Sequence, residues 1–92
     1  MIKSFKHKGL KKLFYDNDPS KIQVVHLKKI LDILDLLNGA HDVRDMNFPG
    51  SHLHPLKGSL NDFWSVRVSG NWRVIFRFIN SDAFDVDYVD YH

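Results

Sequence analysis

The sequence predicts an α+β fold in which two amino-terminal helices pack on a mainly antiparallel sheet of about four to five strands. Three observations lead there. Apolar residues recur at helical spacing as far as about Leu37, the period drops to two after Gly50, and Gly70-Asn71 separates two alternating runs as a two-residue hairpin loop. Helices written before strands favour segregated layers over interleaved parallel strands. Ninety-two residues, 43% of them hydrophobic, suffice for a single domain over residues 1–92 with one core and one site.

Each element has its own signal. Met1 to Phe5 reads as a short first strand, and Leu10, Leu13 and Phe14 then repeat at helical spacing behind Lys8. Asp16-Asn17-Asp18 breaks that helix. Asp18-Pro19 predicts the start of a second one, because the carboxylate can accept from an orphan amide while proline presets the first helical dihedral. That helix is expected from Pro19 to about Leu37, with Ile22, Leu27, Ile30, Leu31, Leu34 and Leu37 as its buried stripe and a left-handed stop at Asn38-Gly39. Val43 to Asn47 predicts one further helical turn, ended by Pro49-Gly50. His52 to Leu56 reads as a short extended piece that Pro55 confines to a sheet edge. Trp64, Val66 and Val68 alternate with Ser65, Arg67 and Ser69 before the hairpin loop, Trp72 to Ile79 follows it, and Asn80-Ser81-Asp82 turns the chain into Phe84 to Tyr91.

Composition narrows the function classes. The absence of cysteine removes disulfides and thiolate metal sites. Neither a signal-peptide pattern nor a membrane-length apolar run is visible, so a soluble cytoplasmic protein is expected. A formal charge of +2 hides an uneven distribution: Lys3, Lys6, Lys8, Lys11 and Lys12 crowd one end, and Asp82, Asp85, Asp87 and Asp90 the other. The lysines suit either a polyanion or plain solvent.

Strand alternation puts Arg73 and Arg77 opposite the apolar face of Trp72, Val74 and Phe76, and it places Arg67 outward as well. Guanidinium groups on a rigid sheet match phosphate geometry, although pairing with Asp85 and Asp87 across the strands would account for them equally. His54 lies in Leu53-His54-Pro55-Leu56-Lys57-Gly58, which joins an imidazole to an ammonium group. Val86, Tyr88, Val89 and Tyr91 keep strand character up to Asp90-Tyr91-His92, so this tail is expected to be held in place and reactive. Metal-free RNA cleavage requires a base for the 2′-hydroxyl, an acid for the leaving 5′-oxygen, and cations for the phosphorane. Histidine serves either proton role near neutral pH. Lys57 and Arg73 supply the cations, and Tyr91 offers a hydrogen bond or a stacking surface. His52, His54 and His92 lack the ligand spacing of a recognisable metal site, so no metal and no cofactor is expected. His7, His26 and His41 read as solvent-exposed.

Four segments together, Met1 to Leu10, Leu53 to Gly58, Asn71-Trp72-Arg73-Val74 and Asp90-Tyr91-His92, resemble the HigB toxins of the RelE-like superfamily in order and spacing. The resemblance runs from the first residue to the last, with Val74 and the Asn80-Ser81-Asp82 turn as mild departures and residues 38 to 52 matching least. It implies a RelE-like ribonuclease fold and a type II toxin that cuts messenger RNA in the decoding site of the small ribosomal subunit and is neutralised by a HigA-type antitoxin. By motif position it implies His54, Asp90, Tyr91 and His92 as the catalytic group, Lys57 and Arg73 as phosphate contacts, and Arg67 with weaker support. A non-catalytic RNA- or ribosome-binding module is the competing expectation, and a purely structural partner of another protein is a third.

Overall fold

The computed structural model describes residues 1–91. Two helices, α1 (Lys8–Asp16) and α2 (Leu27–Gly39), cover one face of a four-stranded sheet made of β1 (His54–Pro55), β2 (Trp64–Ser69), β3 (Trp72–Ile79) and β4 (Asp82–Asp90). The strands lie in the order β1-β2-β3-β4, each antiparallel to its neighbour. Residues 1–6 run parallel to β4 without forming a regular strand. They are tied by the bridges Ile2 to Ala83 and Phe5 to Val86, and by backbone bonds such as Lys3 N–H to the Ala83 carbonyl at 2.7 Å. The sheet thus has four strands and a partial fifth edge.

The predicted α1 forms, and the His7 ring starts it: Nδ1 accepts from the Leu10 N–H at 3.1 Å. Asn17 ends it in the left-handed region at φ 54°. The start of α2 differs from the expected Pro19. Asp18 does accept an amide, but that of Ser20 at 3.0 Å, which closes a local turn instead of capping a helix. Gln23 is then extended, and the β-branched Val24 and Val25 occupy a 3-10 turn (Val24–His26) before α2 begins. The helix end also differs: Gly39 is the last helical residue and the chain leaves through extended Ala40, while Asn38 Oδ1 accepts from Ile2 N–H at 3.0 Å and ties the helix end to the amino terminus.

The buried stripe of α2 is Ile30, Ile33, Leu34 and Leu37, the i, i+3, i+4, i+7 set, whereas Leu31 is exposed. These side chains meet Leu10 and Leu13 of α1 and Val66, Val74, Phe76 and Val86 of the sheet in the core cluster. Phe76 is fully buried, and truncating such a phenylalanine costs about 3–5 kcal/mol. The hairpin forms as predicted, with Gly70 at φ 55°, and so does the next turn, where Asn80 and Ser81 both take positive φ. No helix among the described residues is long and apolar enough to cross a membrane.

Candidate active site on the sheet face away from the helices

Register sorts the sheet residues into rows. His54 pairs with Ser65, Ser65 with Ile75, and Ile75 with Asp87, so these four side chains share the face away from the helices. Two residues along, Arg67 pairs directly with Arg73, and Arg73 with Val89. The expected outward arginines therefore stand side by side, one strand spacing apart. Arg77, lower on β3, meets Asp85 at 3.3 Å, which is the cross-strand pairing that the sequence allowed for all of them. Among the described residues neither Arg67 nor Arg73 has such a carboxylate.

Arg73 is held by its own turn: Nη1 donates to the Gly70 carbonyl at 2.7 Å and to that of Trp72 at 3.2 Å. Its Nε is buried, and no partner for it exists among the described residues; the same holds for the hydroxyls of Ser51 and Ser65. A buried donor left unpaired costs about 1–3 kcal/mol, so this patch keeps hydrogen-bonding capacity that folding alone does not use. Ser51 abuts the arginine row, its carbonyl accepting from Arg67 N–H at 2.7 Å. These two serines are residues that sequence reasoning missed, since nothing in their spacing marks them.

His54 is exposed on the edge strand, and its Nδ1 lies 2.7 Å from the His52 carbonyl. A carbonyl only accepts, so Nδ1 carries the hydrogen and the neutral ring presents a free lone pair at Nε2. The carbonyl is aimed there by His52, which sits in the left-handed region at φ 49°. Lys57 is exposed just past β1, leading into the 3-10 turn Gly58–Leu60.

The tail occupies the far edge. Tyr91 N–H donates to the Asn71 carbonyl at 2.8 Å, continuing the β3–β4 pairing one residue beyond Trp72 with Asp90. Two strands separate β4 from β1, about 14 Å across the sheet, and Tyr91 stands four residues along β4 from Asp87 in the His54 row, so the backbones of His54 and Tyr91 are roughly 20 Å apart, with Arg67 and Arg73 between them. Asp90 and Tyr91 thus do not lie beside the imidazole. Alternation places Asp90 on the helix side with Trp72 and Tyr88, opposite the face of His54. His92 lies outside the described residues.

Two other histidines depart from expectation. His26 is buried, with Nδ1 2.5 Å from the Tyr88 hydroxyl, and His7 is the helix cap already described. Position i−4 from Ile30 on the buried stripe was the signal that marks His26. Burial holds the Tyr88 phenol above its ordinary range, partly offset by the backbone N–H of Gln23.

Comparison with known proteins agrees with this architecture. A family model described as the RelE-like toxin of the type II toxin-antitoxin system HigB matches residues 3–92. The chain is 45% identical over 92 residues to "Endoribonuclease HigB" of Proteus vulgaris, covering all of both, and 34% identical over 98 residues to "Toxin HigB-1" of Vibrio cholerae, covering all of this chain and 98% of that one. Among solved structures, a chain of the "YoeB-YefM complex from Staphylococcus aureus" superposes with a TM-score of 0.58 over 97% of this chain and 95% of the other; at 16% identity that likeness concerns the fold. Full-length identity to two HigB relatives, together with the helices-on-antiparallel-sheet architecture, shows that the chain belongs to the HigB family of RelE-like toxins of type II toxin-antitoxin systems.

Proposed function

We propose that this toxin is an endoribonuclease that cuts messenger RNA at codons in the decoding site of the small ribosomal subunit, and that a HigA-type antitoxin neutralises it in the cytoplasm. The observation that carries the chemistry is the pair Arg67 and Arg73, without an ion-paired carboxylate among the described residues, on the same face as an imidazole whose Nδ1 is engaged by the His52 carbonyl, leaving Nε2 for a substrate. The endoribonuclease relative, aligned over its whole length, supports the activity.

In this reading the scissile phosphate lies over the two arginines, and Lys57 adds charge from the β1 side. Nε2 of His54 takes the 2′-hydroxyl proton, the 2′-oxygen bonds to phosphorus, and the bond to the 5′-oxygen breaks. The forked guanidinium groups stabilise the charge that builds on the phosphorane. A group of the tail, Tyr91 or His92, gives the proton to the leaving 5′-oxygen, so the products are a 2′,3′-cyclic phosphate and a 5′-hydroxyl. A backbone separation of roughly 20 Å between base and acid elements is filled by one phosphate and the side chains reaching in from the two ends of that diagonal. Asp90, on the helix side, acts on the tail and not on His54.

Primer extension on ribosome-bound message, comparing the intact chain with His54→Ala and His92→Ala, tests this. Codon-phased new 5′ ends are expected with the intact chain and not with His54→Ala; their loss in His92→Ala assigns the acid to His92, and their persistence assigns it to Tyr91. Growth arrest with intact transcripts would overturn cleavage in favour of a binding module acting through Lys8, Lys11, Lys12 and Arg73, the three lysines lining a hollow of about 420 Å³ on α1 with Tyr15 and Asp16.

A further inference from the structure

Behind the tail, on the helix side of the sheet, a buried polar bond joins two distant parts of the chain. The Tyr88 hydroxyl and His26 Nδ1 are 2.5 Å apart across 62 residues of sequence. The phenol can donate to Nδ1 or accept from it, according to the imidazole tautomer. Both rings pack on Trp72, with centroids 4.8 Å from Tyr88 and 5.7 Å from His26. His7, the cap of α1, meets Tyr88 edge-on at 5.5 Å. Trp72 is the strand partner of Asp90, and Tyr88 precedes Asp90 by two residues on the same face.

Apolar residues of similar shape would fill this place at least as well, since a net buried hydrogen bond adds little over good packing. What a buried polar pair adds is direction, because a satisfied network admits fewer arrangements than a greasy contact does. We infer that His26 is a positioning residue: through the Tyr88 hydroxyl it braces the end of β4 from the helix side and so holds Asp90 and Tyr91 in register beside Arg73. The brace joins the amino-terminal approach of α2 to the strand that carries the tail. It rests on the ribonuclease reading for its consequence in catalysis, while its structural part stands apart from it.

The test uses the full chain with Tyr88→Phe, His26→Phe and His26→Asn, the last keeping an acceptor near the place of Nδ1. Single-turnover cleavage of ribosome-bound message, ribosome affinity, and residue-resolved amide exchange at Tyr91 and Val74 are measured. Both phenylalanine variants are expected to cut about tenfold more slowly at saturation with unchanged ribosome affinity, as a small misplacement of a catalytic group does. Tyr91 exchange is expected to accelerate about tenfold while Val74 stays protected, with His26→Asn restoring both readouts. Wild-type cleavage and wild-type Tyr91 protection in both phenylalanine variants would overturn the inference, and so would equal acceleration at Tyr91 and Val74, which marks a merely structural contact. Should the intact chain cut nothing, the ribonuclease reading falls, and the exchange data alone decide whether the brace exists.

Discussion

Arg67 and Arg73 face each other across neighbouring antiparallel strands, and among the described residues neither has a carboxylate within ion-pair distance. Like charges directly opposed cost a sheet roughly 0.2–1 kcal/mol. Arg67→Gln is therefore expected to raise stability by a few tenths of a kcal/mol, read as a higher urea midpoint at unchanged slope, while cleavage falls about 100-fold. Arg73→Lys keeps the charge and loses the fork, so it should recover only part of the activity that Arg73→Ala abolishes. A stability loss in Arg67→Gln would mean that an unseen favourable contact holds that side chain.

The 2.7 Å approach of His54 Nδ1 to the His52 carbonyl assigns the neutral tautomer. Ring nitrogen-15 spectra of His54 in the neutral state should show the hydrogen on Nδ1, the less common form. Replacing His54 by Asn keeps a donor near Nδ1 and removes Nε2. It should cut message at least about 100-fold more slowly than the intact chain, no better than His54→Ala, if Nε2 is the proton acceptor.

Gly9 sits inside α1, where alanine would ordinarily gain about 1 kcal/mol in helix propensity. A Cβ there would come within 2.5 Å of Lys21 Cβ and 2.8 Å of His7 Cε1. Lys21 Cβ is close to the backbone and cannot swing away, and overpacking of this kind costs about 1–3 kcal/mol. Thermal unfolding of Gly9→Ala is expected to show a net loss of about 1 kcal/mol, the steric cost outweighing propensity.

Burial raises the Tyr88 phenol above its ordinary value, with Gln23 N–H opposing the shift. A group whose folded pKa is raised contributes stability that is whole below its unfolded value, about pH 10 for tyrosine, and is lost as pH rises through the folded value. Stability of the intact chain should thus decline more steeply above about pH 10 than that of Tyr88→Phe, in urea titrations stepped through alkaline pH. Parallel curves would show that folding leaves the Tyr88 phenol at its unfolded value.

What could be read in the one-dimensional chain was whatever a short window encodes. The hairpin was legible because Gly70 relieves a positive φ between two period-two runs, and α1 because Leu10 and Leu13 share a helical face. The start of α2 was misplaced because Asp18 can serve a turn or a cap with the same oxygen, and only the docking of Ile22 and His26 into the core selects between them. Leu31 and Ile33 exchanged roles for a similar reason: on an apolar helix several stripes look plausible, and the sheet chooses one.

For the site, residue types and their faces were local information. Alternation alone placed Arg67 and Arg73 outward, and the motif of Leu53 to Gly58 drew attention to His54. Their mutual positions were not local. Strand order, which separates β1 from β4 by two strands, arises from hydrogen-bond partners far apart in sequence, and it puts the arginines between His54 and the tail. Burial of His26 against Tyr88 likewise depends on a contact spanning 62 residues, which no periodicity can express. The chain alone specified the chemical groups, the order and type of the main elements and the alternation of faces along each strand, because these follow from backbone geometry over a few residues. Which helix stripe is buried, and which groups meet or stand apart, came from the folded arrangement, because distance in space is set by packing many segments at once.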